Sequence, residues 1–148
     1  RRPHRADRQE SYADRRRRSA LRPAAVFLIS RPVHDSTTTV AELIKLVNDF
    51  VAERQWEPFH DPKNLSASIA IEAAELMEHF QWLRSDQLDS VRDDAKTMAE
   101  VREELADITA YLLSFASKMG IDVASALEEK MRKNAVKYPA ERYRGRFK

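Results

Sequence analysis

Two acidic pairs lie about thirty residues apart in this chain, Glu72 with Glu75 and Glu104 with Asp107. Each pair has i, i+3 spacing inside a segment with helical periodicity, so its two carboxylates share one helical face. Four carboxylates brought together between two helices repel one another unless a divalent cation sits among them. An oxygen-only donor set suits Mg²⁺, with Mn²⁺ as a possible substitute, and Mg²⁺ in proteins mostly serves phosphates. The spacing therefore points to phosphate-ester or phosphoanhydride chemistry.

Composition narrows how such chemistry could be done. The 148 residues include no Cys, which excludes disulfides, thiolate zinc sites and a Cys nucleophile. Gly120 and Gly145 are the only glycines, so a Gly-rich phosphate loop is excluded too. Phosphate binding is left to a metal ion, to Lys and Arg side chains, or to helix N-termini. The overall charge of +2 is unevenly spread. Residues 1–36 carry ten Arg against four acids, a net of +6, and the rest of the chain has a net of −4.

The elements that must position the acids are helices. Residues 1–36, with the run Arg15 to Arg18 and three prolines, show no periodicity and are expected to be a disordered Arg-rich extension. Thr39 followed by Glu42 is a capping-box pattern. Val40, Leu43, Ile44, Val47, Phe50 and Val51 then mark the apolar face of a first helix ending near Arg54. Residues 55–63, with Pro58 and Pro62, read as a loop. Asn64 is placed to cap a second helix that runs to about Arg84, with Leu65, Ile69, Leu76, Phe80 and Leu83 as its apolar stripe. After a polar connector at 85–94, a third helix runs to Met119. Its core face is Val101, Leu105, Ile108, Leu112, Phe115 and Met119. Gly120 suits the position just past its end. Asp122 caps a fourth helix that stops before Pro139, and residues 140–148 form a basic C-terminal tail. No segment alternates like a strand, so the fold class is all-α, a four-helix-bundle-like domain over residues 37–139.

Helical-wheel positions at about 100° per residue place the acids. With Glu72 at zero, the stripe of its helix centres near roughly 50° and Glu75 lies near roughly −60°. With Glu104 at zero, the corresponding values are roughly 60° for the stripe and roughly −60° for Asp107. Both pairs thus flank their stripes alike, at the rim of the core, and two antiparallel helices packed along those stripes bring them to one cleft. Isolated pairs of this spacing are common as solvated surface acids with a base four residues on. Here the residues at that offset are Leu76, His79, Ile108 and Tyr111, and none is Lys or Arg. A di-iron oxidoreductase would need Glu-x-x-His on two helices. The residues three places after Glu72, Glu75 and Glu104 are Glu75, Glu78 and Asp107, which favours Mg²⁺ over redox iron.

The stretches ERQWEPFHDPKNL at 53–65, EAAELMEHFQW at 72–82 and EELADITAY at 103–111 together resemble the MazG-like all-α nucleoside triphosphate pyrophosphohydrolases, and among them the dCTP pyrophosphatase branch. KMRKN at 130–134 and KYP at 137–139 extend the likeness over about residues 37–138. The resemblance implies that Glu72, Glu75, Glu104 and Asp107 ligate Mg²⁺ on a triphosphate. Water then cleaves the α–β anhydride of a nucleoside triphosphate, dCTP or a modified dCTP being the leading expectation, to the monophosphate and pyrophosphate. It also implies that Trp56, Trp82 and Tyr111 enclose the base. Lys63, Asn64, Lys130, Asn134, Lys137 and Tyr138 would lie near the phosphates or sugar. Many members carry a further Glu just before the first ligand, where this chain has Ile71. The water-activating base is then expected at Glu75, or less favourably at Glu103, unless the metal alone activates the water.

Three further expectations follow. A thin core and the family resemblance imply a homodimer or homotetramer with the site near a subunit interface. The apolar stretch at 24–29 is too short for a secretory or membrane segment, and a cytoplasmic protein without a membrane partner is expected. The alternative function is a non-catalytic helical module that binds nucleic acid through its Arg-rich tail. The acidic body, which lacks a basic face with interleaved aromatics, argues against that alternative.

Overall fold

The computed structural model describes residues 32–146, and the expectation of a disordered Arg-rich extension falls largely outside them. The described chain opens with a turn in which the His34 carbonyl accepts hydrogen bonds from the Thr37 and Thr38 N–H groups. Helix α1 follows at Val40–Glu53. Its N-terminus is closed by the expected reciprocal box: Thr39 Oγ1 accepts from the Glu42 N–H, and Glu42 accepts from the Thr39 N–H.

Helix α2 spans Pro62–Glu78, which corrects the second helix at both ends. Asp61, not Asn64, is the N-cap, its carboxylate accepting from the Asn64 N–H at 2.8 Å. Pro62 can then sit in the first turn, where its missing N–H costs nothing. At the other end the chain leaves the helix at His79, and Phe80 to Arg84 form tight turns rather than a last helical turn. The connector contains a 3-10 turn, Ser85–Gln87, and a short helix α3, Leu88–Asp93. Helix α4, Ala95–Met119, is capped by Asp94 and ends on Gly120 in the left-handed conformation, φ 64°. Helix α5, Val123–Lys137, is capped by Asp122 as expected. The C-terminal tail holds one more short helix, α6, at Ala140–Tyr143. Among the described residues there is no strand, so the all-α class holds.

Helix α4 is the axis of the domain. It packs most broadly against α2, and also against α1 and α3. Val51, Leu65, Val91, Leu113 and Ala116 are the buried apolar residues around it. The expected core face of α4 is therefore only partly core: Leu105 is 56% exposed and Leu112 49%. Leu113, Ser114 and Ala116 are buried instead, Leu113 on the side of the helix that faces α1. An apolar groove of about 430 Å³ runs between α1 and α4, lined by Leu43, Leu46, Val47, Leu105, Ala106 and Leu113, with Arg102 also in its wall. Helix α5 packs broadly against none of the other described helices and has no buried residue. No described helix is long and apolar enough to cross a membrane.

Candidate active site

The broad α2–α4 contact brings the acids together. One carboxylate oxygen each from Glu72, Glu104 and Asp107 lies within 4.8 Å of the other two. Glu72 and Glu104 are half-buried and Asp107 is exposed, so the cluster lies at the rim of the core, open to solvent on one side. Glu75 is exposed and stands outside this group of three. Its charge is still felt there. Glu72 holds its proton more tightly than an ordinary glutamate, first because it is partly desolvated, then through repulsion from Glu75, Asp107 and Glu104, and finally through a hydrogen bond with Glu104. Glu103 is also exposed and outside the cluster.

A set of three carboxylates that repel one another, one of them pushed toward its neutral form, fits a small hard cation. The cation would replace the missing positive charge and take the oxygen donors directly. Oxygen-only donors of this kind suit a hard divalent cation.

An aromatic wall stands near the cluster. Tyr111 lies one turn beyond Asp107 on α4 and is half-buried. The His60 ring sits 6.4 Å from the Tyr111 ring and 6.5 Å from Trp56. Trp56 in turn meets Phe50 of α1 edge-on at 6.0 Å. Sequence reasoning passed over His60, whose Nδ1 is sealed from solvent and has no hydrogen-bond partner. Its only signal was position, four residues after Trp56 in the WEPFH stretch. Trp82 does not join this wall. It follows the end of α2 and is 85% exposed.

The other expected substrate contacts divide. Lys63 and Asn64 lie in the first turn of α2, where the Asn64 amide donates to the Phe59 carbonyl and to Asp61 and so braces the aromatic loop. Lys130, Asn134, Lys137 and Tyr138 are on α5 or just past it, and no broad packing of α5 onto α2 or α4 carries them to the acids. Lys137 Nζ lies 5.1 Å from the Tyr138 ring, which meets Tyr143 edge-on at 5.4 Å.

The sequence profile of the MazG-like family matches residues 67–146, a span that holds all four acids. The chain belongs to the MazG-like family. Relatives within it include dCTP pyrophosphatase 1 of Mus musculus, 36% identical over 72% of this chain and 63% of that protein. The Homo sapiens protein of the same name is 35% identical over 69% of this chain and 60% of its own length. The chain thus spans less than two thirds of the curated relatives it matches. A crystal structure of a pyrophosphatase from Archaeoglobus fulgidus is similar with a TM-score of 0.64 and 41% identity, over 73% of this chain and 99% of that one. As a MazG-like chain it keeps its acids on the two helices that pack most broadly, and that pairing of α2 with α4 sets the cluster's geometry.

Proposed function

We propose that this MazG-like chain is a Mg²⁺-dependent nucleoside triphosphate pyrophosphohydrolase, converting a nucleoside triphosphate and water to the monophosphate and pyrophosphate. The observation that carries the proposal is the convergence of Glu72, Glu104 and Asp107 within 4.8 Å, with Glu72 short of compensating positive charge. Names of relatives at 35–36% identity, dCTP pyrophosphatase 1, support dCTP or a modified dCTP as substrate. A nucleotide-pool-cleansing role follows from that substrate.

In this reading Glu72, Glu104 and Asp107 hold the ion, with Glu75 as a further ligand or as the base. A bound Mg²⁺ neutralises charge on the triphosphate and makes a nearby water more acidic. Glu75 is the better candidate for taking that water's proton, because it lies one turn from Glu72 and is not locked into the cluster. Oxygen attack on the α-phosphorus breaks the α–β bridge, and the bridging oxygen leaves on pyrophosphate. Trp56 and Tyr111, with His60 between them, offer rings against which a base can stack. Trp82, largely exposed, is available to close on the other side.

The lysines of α5 reach the phosphates in this scheme from a second copy of the chain. The groove on α1 and α4 and the exposed Leu127 and Met131 of α5 are apolar surfaces that a homodimer or homotetramer would cover. The deciding experiment is a panel of nucleoside triphosphates incubated with Mg²⁺ and resolved for products. Pyrophosphate with a monophosphate is expected, strongest for cytosine deoxynucleotides. Orthophosphate release, or no turnover of any nucleotide, overturns the proposal.

A further inference from the structure

Two helices of this chain end in the same way, and they use different residues to do it. After α4, Gly120 adopts φ 64°, its N–H bonds the Ser117 carbonyl, and the Ile121 N–H reaches back to Ala116 at 2.9 Å. After α1, Gln55 adopts φ 54°, its N–H bonds the Ala52 carbonyl at 3.0 Å, and the Trp56 N–H reaches back to Val51 at 3.0 Å. This paired closure normally calls for glycine at the left-handed residue, because a Cβ there crowds the backbone. A Cβ at Gly120 would meet nothing within 4 Å, so that position is glycine for its backbone angle and not for space. Gln55 is the one non-glycine residue with positive φ among those described, and it immediately precedes Trp56.

Strain of this kind persists where surrounding structure over-determines it, and it concentrates at functional sites. Three contacts hold the turn after Gln55. The Trp56 N–H is tied to Val51, the Trp56 ring stands edge-on to Phe50 at 6.0 Å, and His60 lies 6.5 Å away on the wall that continues to Tyr111. An ordinary right-handed or extended angle at Gln55 would send the following residue elsewhere and separate Trp56 from both neighbours.

We propose that Gln55 is a positioning residue for nucleotide binding: its left-handed backbone swings the chain off α1 so that Trp56 stands against Phe50 and beside His60. The link to nucleotide rests on the reading of Trp56 as a base-contacting side chain. The link to Trp56 itself does not.

The test separates those two links. Gln55→Val resists the left-handed angle, whereas Gln55→Asn and Gln55→Gly accept it. Since the chain has only two Trp, a Trp82→Phe background leaves Trp56 as the sole tryptophan reporter, read in the tryptophan bands of near-UV circular dichroism and by selectively excited tryptophan fluorescence. Kinetics are measured in the chain with Trp82 intact. Gln55→Val is expected to change the Trp56 signals and to raise KM about tenfold with kcat within about twofold, an effect confined to binding. Gln55→Asn and Gln55→Gly should keep the native signals and KM, with Gly raising the melting temperature by about 2–6 °C. If Gln55→Val melts earlier but leaves the Trp56 signals unmoved, the residue is merely structural and the proposal fails. It fails equally if Asn and Gly behave like Val. Changed Trp56 signals with an unchanged KM uphold the positioning and overturn the base-contact reading of Trp56. Should Gln55→Val not fold, altered Trp56 signals in Gln55→Ala, rescued in Gln55→Asn, decide in its favour, and unaltered ones decide against it.

Discussion

Glu72 of α2 and Glu104 of α4 each hold a carboxylate oxygen within 4.8 Å of the other across the helix pair, so two acids face each other at short range. The helix packing that buries Leu65 and leaves Glu72 half-buried thus also fixes the electrostatics of the site. Because the folded chain raises the Glu72 pKa, the native state binds the Glu72 proton more tightly than the unfolded state. Without metal, the stability this proton contributes is full below the ordinary glutamate range. It is lost as pH rises through the raised value. Cation binding needs the carboxylate, so Mg²⁺ should stabilise the protein increasingly over the same interval. Melting curves from pH 4.5 to 8, with and without Mg²⁺, check this. In Glu72→Gln the metal-free pH slope should flatten and the Mg²⁺ shift should vanish; a Mg²⁺ shift independent of pH in the native chain would refute the assignment.

Glu75 and Glu103 are both exposed and outside the cluster, yet only Glu75 acts on Glu72. Glu75→Gln is expected to lower kcat by ~10²–10⁴ if it takes the proton from water. Glu103→Gln should stay within about twofold, as an exposed acid without a catalytic contact does. A comparison of both variants at saturating Mg²⁺ distinguishes loss of a base from loss of a ligand. Equal kcat for Glu75→Gln and the native chain rules out the base role.

The fold was legible wherever local chemistry decides it. The Thr39–Glu42 box, Gly120 and Asp122 set helix ends at the expected residues because each satisfies orphan backbone groups with its own side chain or angle. The start of α2 was missed because Asp61 and Asn64 are both good caps and Pro62 between them decides in favour of Asp61. Wheel geometry put the acids at the rim of the core, where Glu72 and Glu104 are half-buried and Glu75 and Asp107 exposed. That geometry could not separate Glu75 from the other three, since the wheel gives the direction a side chain leaves the helix and not its rotamer. The stripe Leu105–Leu112–Met119 was read as core because spacing reports an apolar face and not what covers it. His60 was missed for a related reason: a loop residue has no period, and its role depends on the rings that close around it.

His60 makes a second, independent test of the aromatic wall. A buried nitrogen without a partner costs about 1–3 kcal/mol, and Nδ1 of His60 is such an atom. His60→Phe keeps a ring between Trp56 and Tyr111 and removes the orphan atom. The variant should unfold at higher denaturant, by about 1 kcal/mol, while its nucleotide KM rises. A gain in stability with unaltered KM would make His60 a packing residue alone.

The last prediction concerns assembly. Helix α5 is 15 residues long, has no buried residue and leaves Leu127 and Met131 uncovered. A helix of that length is marginal in water without tertiary packing. The apolar groove on α1 and α4 is likewise left unfilled by the described residues. A second copy would cover both surfaces at once, so light scattering at micromolar concentration should return a dimer or tetramer. Charges placed on the two surfaces, Leu46→Asp in the groove and Met131→Asp on α5, should each shift the population toward monomer. If the site draws its phosphate-side lysines from the partner, turnover should fall in step with the loss of assembly and should partly recover at higher protein concentration. A monomeric mass for the fully active native protein would overturn this reading, because one chain would then supply the whole site.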